Sequence, residues 1–167
     1  NSAEYGVPQA RERIFFIGLN KKYLSSNALE AIKKDVLPEQ YNPYPMKTHF
    51  LPSNKNPDKL LKKFVSCKEA LTGLNEPDIS DDLSQKMFSR AKFIEKGQGN
   101  KEIDLEGLSP TIRSEHHGNI EYRRLSIENN GKNIAELNNG LQQRRLTVRE
   151  CARLQTFPDS YQFIRNE

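Results

Sequence analysis

The side chains able to do covalent or acid–base chemistry are few and scattered. Cys67 lies in the apolar run Phe64-Val65-Ser66-Cys67 with no histidine beside it to lower its pKa. Cys151 shares one helical face with Val148, Ala152 and Gln155, so both cysteines read as inert packing residues. His116-His117 is a pair of adjacent residues, which diverge in a helix or a strand, and no cysteine or carboxylate cluster completes a four-ligand site; no metal is expected. Gly97-Gln98-Gly99 lacks the third glycine and the preceding strand of a phosphate-binding nucleotide loop. No nucleophile–base pair emerges. What the chain offers instead is recognition chemistry. Fourteen of the fifteen lysines precede residue 102, and eight of the eleven arginines follow it. Arginine's planar fork suits phosphates and guanine edges, whereas lysine is a point charge. The second half is therefore predicted to make contacts and the first to confer solubility. For any single arginine, a structural ion pair is an equal alternative.

The elements that position these residues follow from apolar spacing and punctuation. Arg13-Ile14-Phe15-Phe16-Ile17-Gly18-Leu19, after a Gly6-Val7-Pro8 turn, predicts a strand buried on both faces, one belonging to a larger sheet. A helix is predicted over Leu24–Leu37 with Ser26 or Asn27 as its cap, and further helices over Asp58–Leu71 and Asp81–Ala91. Residues 38–58 hold five of the nine prolines and predict a loop. Thr147-Val148-Arg149-Glu150 has the form of a capping box, starting a helix that runs to about Phe157, before Pro158.

Composition bounds the class. At 167 residues the chain is about one domain. A 35% hydrophobic fraction, 29% charged residues and no long apolar run exclude a membrane-spanning protein. Two cysteines are too few for a disulfide scaffold, so a reducing cytoplasm is expected. The net charge of +4 is compatible with a polyanionic partner. The chain opens Asn1-Ser2-Ala3-Glu4 without a methionine, which predicts a piece of something longer.

Three stretches carry a resemblance. Tyr5-Gly6-Val7-Pro8-Gln9-Ala10-Arg11-Glu12-Arg13-Ile14 and Arg145-Leu146-Thr147-Val148-Arg149-Glu150-Cys151-Ala152-Arg153-Leu154-Gln155-Thr156-Phe157-Pro158-Asp159 resemble the eighth and ninth conserved motifs of the DNA cytosine-5 methyltransferases. Between them, Gly97-Gln98-Gly99 and Leu108-Ser109-Pro110-Thr111-Ile112-Arg113 are similar to that family's recognition loops. The resemblance implies that Gln9, Arg11 and Arg13 border the pocket for a cytosine flipped from the duplex, Arg13 binding the base and its developing charge. It implies that Gln98 enters the gap left by the base, that Thr111 holds a neighbouring phosphate, and that Arg113, Arg123 and Arg124 touch phosphates or base edges. An ion pair with Glu12 or Glu4 is the structural alternative for Arg11 and Arg13, and Glu115 or Glu121 for the later arginines.

The family's other signatures are missing: none of the nine prolines is followed by cysteine, and neither a Glu-Asn-Val motif nor the cofactor-binding glycine loop occurs. The expectation is thus a mixed α/β chain, with one strand of a doubly wound methyltransferase sheet (residues 1–22), a small irregular β-rich target-recognition domain (23–144) and a closing helix with a tail (145–167). It would bind double-stranded DNA in the bacterial cytoplasm, as part of a restriction–modification enzyme. It would depend on a catalytic domain or subunit for the nucleophile and for S-adenosylmethionine, bind none of that cofactor itself and be inactive alone. A stand-alone DNA-binding module and a protein-interaction domain are the alternatives. The exposed strand edge such a module would have argues against the first, and salt-dependent DNA binding would exclude the second.

Overall fold

The computed structural model describes residues 1–34, 38–88, 103–112, 122–123 and 144–164. The chain divides into two units, one of residues 1–12 with 48–167 and one of residues 13–47. The architecture is mixed α/β, built from very short elements.

In the larger unit, a 3-10 turn at Ser2–Tyr5 ends at Gly6, whose φ of 85° lies in the left-handed region. A Cβ at Gly6 would also sit 2.8 Å from the His49 ring, so glycine is required there twice over. Strands β1 (His49–Phe50) and β2 (Lys62–Lys63) form a parallel pair, with His49 opposite Lys62. Helix α2 (Cys67–Leu71) starts at a Ser66/Glu69 capping box, and α3 (Leu83–Lys86) is capped by Asp82, whose carboxylate accepts from Ser84 N. Strands β3 (Tyr122–Arg123) and β4 (Arg144–Arg145) pair antiparallel, Arg123 opposite Arg144. Helix α4 (Val148–Arg153) begins at the expected Thr147/Glu150 capping box. Cys67, Leu71, Ile103, Leu146 and Leu154 form the buried cluster, with Ile112 and Cys151 packed against it.

The smaller unit holds a 3-10 turn at Lys21–Tyr23, helix α1 (Ser26–Ile32) and a further 3-10 turn at Glu39–Tyr41. Ser25, one residue earlier than expected, caps α1 by accepting from Ala28 N.

Several expectations are corrected. Residues 13–19 form no strand, and Phe16 is 96% exposed. A strand exists through hydrogen bonds to a neighbour, and among the described residues no strand pairs with this run. Of the helix expected over Asp58–Leu71, only Cys67–Leu71 is helical; Lys62 and Lys63 are taken by β2 instead. Helix α4 stops at Arg153 rather than Phe157. It closes in a Schellman arrangement, Phe157 N donating to the Ala152 carbonyl (3.0 Å), with Thr156 in the left-handed position (φ 63°) that glycine usually fills.

Candidate nucleic-acid interface

The segment bearing Gln9 and Arg11 is fixed from two sides. Ser2 N donates to the Arg11 carbonyl (2.9 Å) and Ser2 Oγ to the Gln9 carbonyl (2.8 Å). On the other side, Gln9 bridges Ser109 in parallel register: Ala10 N donates to the Ser109 carbonyl (2.8 Å) and Ser109 N to the Pro8 carbonyl (3.0 Å). Thr111 Oγ1 completes the join by donating to the Ala10 carbonyl at 2.9 Å, across 101 positions of sequence. Ile112, packed on the buried cluster, holds Thr111 in place from below. Two of the stretches singled out in the sequence are thus one piece of surface.

Within it, Arg11 is half-buried, whereas Gln9 is buried (1% exposed) and its Nε2 has no acceptor among the described residues. A buried amide donor left unmatched costs on the order of 1–3 kcal/mol, which marks the position for a ligand or a water. Thr111 already donates its hydroxyl proton to Ala10, so holding a phosphate there requires the hydroxyl to rotate. Arg13 is exposed and opens the smaller unit. Arg123 lies on β3. Gln98, Arg113 and Arg124 fall outside the described residues. So does the His116-His117 pair; among the described residues no group of metal-ligating side chains occurs.

The arginines from 144 onward take the structural ion pairs that the sequence left open as the alternative for each of them. Arg144 bridges two carboxylates, donating from Nη2 to Glu76 Oε2 (2.9 Å) and Glu150 Oε1 (2.8 Å) and from Nη1 to Glu150 Oε2 (2.8 Å). Burial pulls its pKa down, but the bonds to Glu150 and Glu76 more than offset this and keep it charged. Arg149 Nε donates to Asp82 Oδ2 (2.6 Å), and its Nη2 holds the Tyr161 carbonyl at 2.9 Å. Burial raises the Asp82 pKa, yet the bonds from Ser84 and Arg149 outweigh it and hold the carboxylate below its ordinary range. Arg153 grips Asp159 through Nε and Nη2 (2.8 and 2.7 Å) and the Thr72 carbonyl through Nη1 (2.7 Å); the Asp159 pKa is lowered chiefly by that arginine. Thr147 Oγ1 donates to Gln85 Oε1 (2.6 Å), and Gln85 Nε2 to the Asn75 carbonyl (2.9 Å). These side chains bolt α4 to α2 and α3. Gln155 Nε2 donates back to the Cys151 carbonyl at 3.1 Å. Cys67 is fully buried, and burial first, then Asp104, pushes its thiol up to about 12, which leaves it inert.

With this geometry in view, the comparisons with known proteins are specific. The chain belongs to the C-5 cytosine-specific DNA methylase family, whose family model matches residues 1–167. It is 30% identical to the type II methyltransferase M.NgoPII of Neisseria gonorrhoeae, over 98% of this chain and 45% of that protein. It is 27% identical to M.FnuDI of Fusobacterium nucleatum (98% and 44%) and 28% identical to M.BsuRI of Bacillus subtilis (98% and 32%). The chain therefore spans less than half the length of these relatives. No solved structure matches it significantly. No helix among the described residues is long and apolar enough to cross a membrane.

The family uses S-adenosylmethionine, so fit matters. The apolar groove of the smaller unit is lined by Ile17, Leu19, Leu24, Leu29 and Ile32, with Lys21 and Lys33 at its rim. That lining offers no carboxylate for ribose hydroxyls, and its two ammonium groups repel a sulfonium cation. The residues of this groove do not fit this cofactor.

Proposed function

We propose that this chain is the target-recognition part of a DNA cytosine-5 methyltransferase of the restriction–modification kind. It would bind duplex DNA and hold a cytosine turned out of the stack, while the methyl donor and the attacking nucleophile come from the part of the enzyme that the chain does not span. The observation that carries this reading is the joining of residues 9–11 to residues 109–111 through the Gln9–Ser109 bridge and the Thr111–Ala10 bond. One short stretch of surface then presents an arginine and an unmatched buried amide donor, the groups a pyrimidine's carbonyl and ring nitrogen call for.

In this reading Arg11 and Arg13 supply fixed positive charge. Attack on the ring builds negative charge on the base, and pre-positioned donors stabilise that charge without reorganising. Gln9 orients the base edge. Gln98 fills the vacated stack, and Thr111, Arg113, Arg123 and Arg124 hold the flanking strand. Residues 1–22 serve the catalytic domain, residues 23–144 recognise the target, and the 145–167 segment closes the two together. The exposed apolar run 14–19 supports this division, because a run of that composition gains stability only when a sheet covers it.

The test is duplex binding by the full-length protein. Selection from a random duplex library is expected to enrich a short motif with an invariant cytosine. Replacing that cytosine's partner to make a mismatch should tighten binding about 10–100-fold, because the cost of unpairing, a few kcal/mol, no longer has to be met. Arg11→Ala should abolish that gain while leaving a salt-sensitive encounter. Affinity that is unchanged or weakened by the mismatch would favour a plain DNA-binding module, and no duplex binding would overturn the reading.

A further inference from the structure

The cations of the larger unit fall into two groups. Arg144, Arg149 and Arg153 are each bonded to a carboxylate, Glu150, Asp82 and Asp159 respectively. The lysines of residues 55–63 are not used this way. Lys55, Lys59, Lys62 and Lys63 are all exposed, and none is ion-paired among the described residues. Lys63 lies over the Phe64 ring, 5.2 Å from its centroid, and the carboxylate that feels it, on Glu69, is engaged by Ser66. Asp58, the one acidic residue in that stretch, accepts from Leu60 N in a turn. Four lysines in nine residues thus make a positive stretch that no carboxylate among the described residues ion-pairs.

Its location is set by the backbone. Lys62 N donates to the Thr48 carbonyl (2.9 Å), Thr48 N donates to the Glu4 carbonyl (2.9 Å), and the turn containing Glu4 is the one whose Ser2 holds Arg11 and Gln9. Three hydrogen-bonded links thus tie β2 to the turn that holds the 9–11 segment.

We infer that Lys55, Lys59, Lys62 and Lys63 form a second, sequence-blind contact to the DNA backbone, apart from the contact at the cytosine presented to Arg11. The inference rests on the proposed function and extends it to a surface outside the recognition loops. The lysines that looked like solubilising charge would carry the electrostatic part of binding, while the arginines of α4 hold the fold together.

The experiment compares two neutralised variants of the full-length protein with wild type. One carries Lys55→Gln, Lys59→Gln, Lys62→Gln and Lys63→Gln. The other carries Lys21→Gln, Lys22→Gln, Lys33→Gln and Lys34→Gln, four equally exposed lysines of the smaller unit. Duplex affinity is measured as a function of salt, on a selected duplex and a scrambled one. The 55–63 variant is expected to lower the slope of log affinity against log salt by about two to four, since each lost phosphate contact removes about 0.9. The ratio of specific to scrambled binding should stay within about threefold. The second variant should leave the slope unchanged. An unchanged slope in the 55–63 variant, or equal losses in both, overturns the inference while leaving the proposed function standing. Retention of the mismatch effect in wild type separates that outcome from failure of the function itself. A 55–63 variant with four arginines in place of the lysines should keep the wild-type slope, which guards against simple misfolding.

Discussion

Residues 13–19 and residues 144–164 obey opposite rules of burial. The first segment is apolar and exposed: Ile14, Phe15 and Phe16 are 84%, 70% and 96% accessible. The second buries its charges over residues 144–150, with Glu150 at 0% and Arg149 at 4%. The difference lies in where each finds partners. The arginines at 144, 149 and 153 meet Glu76, Glu150, Asp82 and Asp159 within this chain, and the desolvation penalty is offset by short, multiply shared hydrogen bonds. The apolar run has backbone groups and side chains that only another strand and a covering layer satisfy, and no described strand supplies them.

The largest expected effect is in the charged region. Glu150→Ala removes both bonds to Arg144 and the capping bond to Thr147 N (2.9 Å), and should destabilise the chain by about 3–5 kcal/mol in urea unfolding. A loss below about 1 kcal/mol would mean that the network is not what holds α4. Next, Asp82→Ala should cost about 1–2 kcal/mol, because it removes the α3 cap and the partner of Arg149. The pH dependence has a fixed sign. Asp82 and Asp159 are held below the ordinary aspartate value, so their contribution is complete above about pH 4 and is lost as pH falls further. Thermal melts should drop below that point, and less steeply in Asp82→Ala.

A smaller gain is expected from Thr156→Gly. Thr156 occupies the left-handed position at the end of α4, where a β-branched residue is strained, so melting should shift upward by the equivalent of about 1 kcal/mol. Smallest of all, Phe16→Ser should change the unfolding free energy of this chain by less than about 0.5 kcal/mol, since the ring is already in water. In an enzyme whose sheet covers residues 14–19, the same substitution should cost about 3 kcal/mol or more. That contrast would sharpen the comparison to a single residue.

Much of this was legible in the sequence, and the misses have physical reasons. Thr147-x-x-Glu150 declared its capping box because the motif is local, and the inertness of Cys67 followed from its apolar neighbours. The family was legible in two dense motifs, and the family model bears it out over the whole chain. Ser66-x-x-Glu69 carries the same capping signal and was overlooked inside a helix expected to start at Asp58. The run 13–19 has the composition of a buried strand, but composition does not say which chain holds the partner strand. The partners of the arginines were hidden for a related reason. Arg144 and Arg149 find Glu76 and Asp82 across 68 and 67 positions, and nothing in residue type announces such a pairing. The join of Gln9 to Ser109 is equally non-local, although both lay in stretches already singled out.

Amide hydrogen exchange on the 167-residue chain tests the central claim most directly, because it reads the two regions in one experiment. The amides of Cys151 and Leu154, which donate to the Thr147 and Glu150 carbonyls at 3.0 Å, should exchange only through global opening. The amides of residues 14–19 should exchange near the rate of an unstructured peptide, and become protected when the remainder of a methyltransferase is present. Protection of residues 14–19 equal to that of α4 in this chain alone would contradict the account.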